Sequence, residues 1–183
     1  MPYFAVIDTE TNWENELMSI GTVIADYDTF KPVKVRYHVL APQYEVGGMF
    51  SNVLFDNRLK HILCTKGEAM EDLIDLLKEY EVNSVFAYNA AFDRKLMPKL
   101  SSFDWYDIMS FAAYRQYNRK ITPFDDCYKT GRLKRDYGVE AMLRRLSGNC
   151  TYNETHNALY DALDELEIMR LLGYTPKTYF KMK

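Results

Sequence analysis

The chain reads as a layered α/β domain, and three patterns predict it: a nearly continuous apolar run at the start, two strand-like runs behind it, then alternating helical and strand periodicity. Tyr3–Asp8 (Tyr-Phe-Ala-Val-Ile-Asp) is the apolar run expected of a central strand covered on both faces. Ile20–Ala25 is the second. Val33–Leu40 sets Val, Val, Tyr and Val against Lys, Arg and His at period two, the pattern of a half-exposed strand. Gly67–Tyr80 then places Ala69, Met70, Leu73, Leu76, Leu77 and Tyr80 at helical spacing, with acidic residues near its start. Asn83–Tyr88 is a fourth apolar run, feeding a helical segment, Ala90–Leu96, that ends before Pro98. Trp105–Met109 supplies a fifth strand. Tyr137–Leu146 and Ala158–Leu172 are helical, the second stopped by Gly173 and Pro176. Tyr117–Arg135, charged and holding Pro123 and Gly131, is expected to form a long loop.

With 183 residues and 48% hydrophobic content, one domain spanning 1–183, with a tail at 174–183, has enough chain for a proper core. A chain of this size buries about 70% of its unfolded surface. Three cysteines, Cys64, Cys127 and Cys150, are odd in number and lack metal-ribbon spacing, which favours a reducing cytoplasm over secretion. The first strand starts almost at once, so neither a basic leader nor a membrane span is expected. The net charge of −3 hides an uneven distribution. Residues 94–145 carry 12 Lys+Arg against 6 Asp+Glu, whereas the remainder carries 11 against 20. A basic middle beside a phosphate-handling site suits a polymeric anion.

Three short polar clusters interrupt this framework: Asp8-Thr9-Glu10, Tyr88-Asn89-Ala90-Ala91-Phe92-Asp93 and His156-Asn157-Ala158-Leu159-Tyr160-Asp161. Asp8 and Glu10, two apart at a strand end, leave on one face and can converge on one cation. Asn89 and Asp93 are four apart across a helix N-terminus, where Asn89 can cap the first turn. His156 and Asp161 are five apart, about 140° around a continuous helix, so they can meet only if His156 lies on the loop ahead of the helix. Gathered together, these groups carry enough negative charge for divalent cations, with a histidine left to move a proton.

The order and local sequence of the clusters resemble the DEDDh exonucleases, the superfamily of the proofreading subunit of bacterial replicative polymerases. The resemblance runs from Tyr3 to about Gly173. It implies a ribonuclease H-like three-layer fold, with a mixed five-stranded sheet flanked by helices. It also implies a 3′-to-5′ exonuclease that releases nucleoside monophosphates from single-stranded nucleic acid, with DNA placed slightly ahead of RNA. On that match Asp8, Glu10, Asp93 and Asp161 hold two divalent cations, Mg²⁺ or Mn²⁺, with Asp8 bridging them. His156 takes the histidine position as general base. The chain departs from many relatives at Tyr88-Asn89-Ala90, where they have His-Asn-Ala, and at Thr11-Asn12-Trp13, where a Thr-Gly-Leu-like stretch is usual. Neither departure removes a metal ligand.

Around this set, Thr9 and Thr11 are candidates for backbone or hydroxyl contacts to the 3′ end, and Asn89 is a further substrate-binding candidate. Trp13, Met18 and Phe92 are candidates for stacking on the last base, although Met18 and Phe92 also suit the core. A DNA polymerase or a second copy of the chain are the protein partners to consider. Two other readings compete with the exonuclease. One is a non-catalytic nucleic-acid-binding or polymerase-associated module, against which the intact carboxylates argue. The other is a small-molecule phosphatase, against which the basic middle argues.

Overall fold

The computed structural model describes residues 2–182, Met182 without its side chain. Strands β1 (Tyr3–Thr11), β2 (Leu17–Asp26) and β3 (Pro32–Leu40) form an antiparallel meander. Strand β4 (Ile62–Cys64) pairs parallel with β3 at one edge. Strand β5 (Ser84–Ala87) lies parallel to β1, and β6 (Asp104–Asp107) lies parallel to β5. The mixed sheet therefore has six strands in the order β4-β3-β2-β1-β5-β6. The five strands expected from the sequence are all present, and the sixth, β4, is a three-residue edge too short to leave a periodic signal.

Helix α1 (Lys66–Glu79) begins at a capping box in which Thr65 and Glu68 satisfy each other's backbone N–H groups. Its Leu73, Leu76 and Leu77 cover one face of the sheet, against Ala5, Ile7, Ile20 and Val85. The short helices α2 (Ala91–Leu96) and α3 (Met109–Ala112) follow β5 and β6. Helices α4 (Val139–Ser147) and α5 (Ala158–Leu172) cover the opposite face, where Met142, Leu159, Ala162 and Leu166 meet Phe4, Val6, Val23 and Phe86. The chain closes with α6 (Pro176–Tyr179), whose Tyr179 is buried, and with Phe180 stacked on Tyr106 at 4.5 Å. The tail thus covers the end of the sheet.

Alternation along β1 is what aims the site. Phe4 and Val6 point to the α5 face while Ala5 and Ile7 point to the α1 face. Asp8 and Glu10 continue the first row and Thr9 the second. Strand β3 differs from the period-two expectation: Val33 and Val35 are exposed, whereas Tyr37 to Leu40 are all buried. Its exposure changes along the strand, because the helical layers cover only its second half. Between α3 and α4 the chain forms a long loop, as expected, pinned by bridges between Tyr114 and Arg132 and between Cys127 and Leu133. All three cysteines are free, and no helix among the described residues is long and apolar enough to cross a membrane.

Candidate active site

Helix α5 lies close on the sheet because the β2 residue beneath its first turn, Gly21, has no side chain. Asp8 pairs with Gly21 of β2, and a Cβ at Gly21 would fall 2.0 Å from the Ala158 carbonyl oxygen. This contact seats the first turn of α5 on the sheet beside Asp8. Asn157 caps the helix, its side chain accepting from the Leu159 N–H at 3.1 Å. The Asn157 amide donates to the Tyr37 hydroxyl at 2.9 Å and the Val53 carbonyl at 2.8 Å, which ties the cap to β3 and to the connection after it. Asp161, buried in the first turn, is thereby aimed at β1.

His156 lies ahead of the helix, as its spacing requires, in a left-handed conformation at φ 57°. Its ring is stacked on Phe50, with centroids 4.1 Å apart and planes 16° apart. One ring nitrogen of His156 and one carboxylate oxygen each from Glu10 and Asp161 lie within 4.8 Å of one another.

Asp93 enters from the other side of β1. The turn between β5 and α2 places Asn89 at φ 65°, and Asp107 at the end of β6 accepts the N–H groups of Asn89 and Met109, both at 2.9 Å. Tyr88 anchors the same turn through its hydroxyl, which donates to the Tyr137 carbonyl. Asp93 is buried and accepts the Thr9 hydroxyl at 2.6 Å.

The electrostatics record how tightly these acids are gathered. Asp8 is raised well above the usual carboxylate range, first by burial and then by the charges of Glu165, Asp93, Asp161 and Glu10. Burial and Glu154 push Glu10 up to about 8, and burial, Glu154 and Glu10 push Asp161 up to about 9. Asp93 rises to about 7, burial outweighing the hydrogen bond from Thr9. Asp161 also keeps a buried oxygen, Oδ1, with no hydrogen-bond partner among the described residues. Crowded carboxylates with an orphaned oxygen and one imidazole fit a hard divalent cation.

The structure corrects several expectations for the substrate contacts. Met18 is fully buried, its methyl end beneath Gly48, and has no surface to offer a base. Thr9 is also buried, and its hydroxyl donates to Asp93, so its side chain holds a carboxylate in place. Asn89 makes no side-chain cap for α2, because its left-handed turn presents its backbone instead: its carbonyl accepts from the Phe92 N–H at 2.9 Å. Phe92, which also suited the core, is 46% exposed, and Trp13 is 65% exposed. Thr11 is partly buried where β1 ends.

Four further residues contribute to the site. Glu165 follows Asp161 by four positions on one helical face, a spacing that could have revealed it. Glu154 lies two residues before His156, and Asp107 is a strand-end carboxylate like Asp8. Phe50, in the irregular connection between β3 and β4, leaves no local signal.

No protein-family model and no curated protein matches the sequence. Solved structures do. The nuclease domain of 3′hExo, a DEDDh family member, bound to rAMP, superposes with a TM-score of 0.62 over 93% of this chain and 91% of that one, at 16% identity. A 3′-exonuclease that recognises the 3′ end of the histone mRNA stem-loop gives a TM-score of 0.63 at 16% identity, and the chain spans 63% of its length. E. coli exonuclease I in complex with a dA16 oligonucleotide gives 0.63 at 14% identity, over all of this chain and 43% of that one. The mixed sheet between two helical layers is therefore the ribonuclease H-like fold of these 3′-exonuclease structures.

Proposed function

We propose that this protein is a divalent-cation-dependent 3′-to-5′ exonuclease of the DEDDh type, releasing nucleoside monophosphates from single-stranded nucleic acid. The observation that carries the reading is the convergence of Asp8, Glu10, Asp93, Asp161 and His156 from three separate parts of the chain, within a fold shared with 3′-exonucleases. Asp8, Glu10, Asp93 and Asp161 would hold two cations, Mg²⁺ or Mn²⁺, and these supply Lewis acidity at the scissile phosphate.

The chain's own groups do the rest. His156, held by Phe50 beside Glu10 and Asp161, accepts the proton of the attacking water. Thr9 keeps Asp93 oriented, and Asp107 fixes the turn on which Asp93 is carried. Trp13 and Phe92, both exposed, offer faces on which unpaired bases stack, and Thr11 lies between Glu10 and the Trp13 turn. Arg94, Lys95, Lys99, Arg119 and Lys120 are exposed on the basic middle of the chain and suit the trailing phosphates.

The test is incubation of 5′-labelled single-stranded DNA, RNA and duplexes with Mg²⁺ or Mn²⁺. A ladder of products shortened from the 3′ end by single nucleotides is expected, with DNA cut faster than RNA. Asp161→Asn should abolish the ladder while leaving the far-ultraviolet circular dichroism unchanged. A ladder from that variant at the wild-type rate would overturn the reading.

A further inference from the structure

Glu165 is a fully buried carboxylate near this site that the four-carboxylate set leaves without a purpose. It lies one turn beyond Asp161 on the buried face of α5, among Ala162, Leu166 and Met169, where packing alone favours an apolar residue. Its side chain is 1% exposed, and its Oε2 has no hydrogen-bond partner among the described residues. The Tyr88 backbone N–H lies beside the carboxylate, but no cationic side chain among the described residues is paired with it. Its charged neighbours are Asp93, Asp161 and Glu154, and Glu165 is the charge that acts most strongly on Asp8.

Burying a carboxylate without a counter-charge is costly, and aiming it at three more of the same sign adds to the cost. The Tyr88 N–H offsets only part of this, and no cationic side chain among the described residues offsets the rest. A cation held by Asp8 and Asp93 would.

We propose that Glu165 is a fifth carboxylate of the cation site, reaching it from the protein interior through its unpartnered oxygen while the other four close it from the strand and helix ends. The proposal rests on the cation-dependent reading above. The helix geometry makes it economical: Asp161 and Glu165, at i and i+4, share one face of α5, and the charges of both act on Asp8. Glu165 thus adds one negative charge to the centre and raises its hold on divalent cations.

The test needs no nucleic acid. Metal-free protein is titrated with Mn²⁺ by calorimetry, with free Mn²⁺ followed by electron paramagnetic resonance, for wild type, Glu165→Gln and the half-buried control Glu167→Gln, whose carboxylate pairs with Arg170. Glu165→Gln keeps the size of the side chain and an acceptor for the Tyr88 N–H, and removes only the charge. The expected result is Mn²⁺ binding by wild type and the control, and a loss of about 10-fold or more in affinity for at least one ion in Glu165→Gln. The apolar replacement Glu165→Met should show the same loss with its helical circular dichroism retained. Wild-type affinity, within twofold, in both Glu165 variants would overturn this proposal and leave the exonuclease reading standing. Failure of the wild type itself to take up Mn²⁺ at millimolar concentration would overturn both.

Discussion

The ring of Phe50 lies face to face on the imidazole of His156, 4.1 Å away, and couples the connection after β3 to the residue that precedes α5. His156 sits in a left-handed conformation ahead of the helix, where its backbone N–H bonds to the Asp161 carboxylate and the stacked ring of Phe50 holds its imidazole. An aromatic pair of this kind contributes about 0.5–1.5 kcal/mol. Phe50→Ala should therefore lower kcat by about 3- to 10-fold with KM within twofold, whereas Phe50→Tyr should keep the wild-type rate. Steady-state kinetics on a labelled oligonucleotide checks this, and equal rates for Ala and Tyr would show that the stack does not position the histidine.

That stack also marks the limit of what local sequence reveals. Helix α5 was legible because Gly173 and Pro176 stop it, and strand and helix periods showed that Asp8 and Glu10 leave on one face and that His156 must lie ahead of the helix, while the places of Asp93 and Asp161 came from the family resemblance. Strand β4 and Phe50 lie in a stretch of short irregular turns, where the chain's path is set by tertiary contacts such as that between Asn157 and Val53. Asn89 makes no side-chain cap for a related reason: the Asp107 carboxylate clamps the backbone of the turn ahead of α2, where Asn89 lies in a left-handed conformation.

Thr9 donates to Asp93 at 2.6 Å inside the protein, a hydrogen bond to a charge that is worth about 1.5–3 kcal/mol. The bond favours the charged form of Asp93, although burial still raises the carboxyl to about 7. Thr9→Val keeps the shape and removes the donor. It should raise the Mn²⁺ concentration needed for half-maximal activity by about 10-fold, and Thr9→Ser should restore it. Titration of activity against Mn²⁺ at fixed pH separates the two variants, and coincident curves would assign Thr9 to packing alone.

Without cations, the gathered carboxylates should make stability fall as pH rises. Glu10, Asp93 and Asp161 have folded values of about 8, 7 and 9, all above the usual carboxylate range. From the ordinary carboxylate range up to about 9, the folded state then binds more protons than the unfolded state. Stability accordingly declines with pH through that window. The penalty is absent below the unfolded values and complete above the folded ones. Thermal melts of chelator-treated protein should show a lower Tm at pH 8.5 than at pH 5.5. Saturating Mg²⁺ should raise Tm more at pH 8.5, because the cation replaces the protons. A Tm in chelator that rises across this range would contradict the grouping.

Gly21 gives the sharpest test of how the site is assembled. Its Cβ position coincides with the backbone of Ala158, at 2.0 Å from the carbonyl oxygen and 2.3 Å from the Leu159 nitrogen, and neither atom can rotate away. Gly21→Ala must therefore lift the first turn of α5 from β2 and carry Asp161 and His156 away from Asp8 and Glu10. Overpacking against side chains costs about 1–3 kcal/mol, and against backbone the cost should lie at or above the top of that range. Gly138→Ala is the matched control, since a Cβ there meets nothing within 4 Å and the backbone is at φ −71°, which alanine adopts freely. The expected outcome is a large fall in Tm and loss of Mn²⁺ binding for Gly21→Ala, with both retained in Gly138→Ala. A Gly21→Ala protein that kept wild-type Tm and cation affinity would mean that the spacing between α5 and the sheet does not set the geometry of the carboxylates.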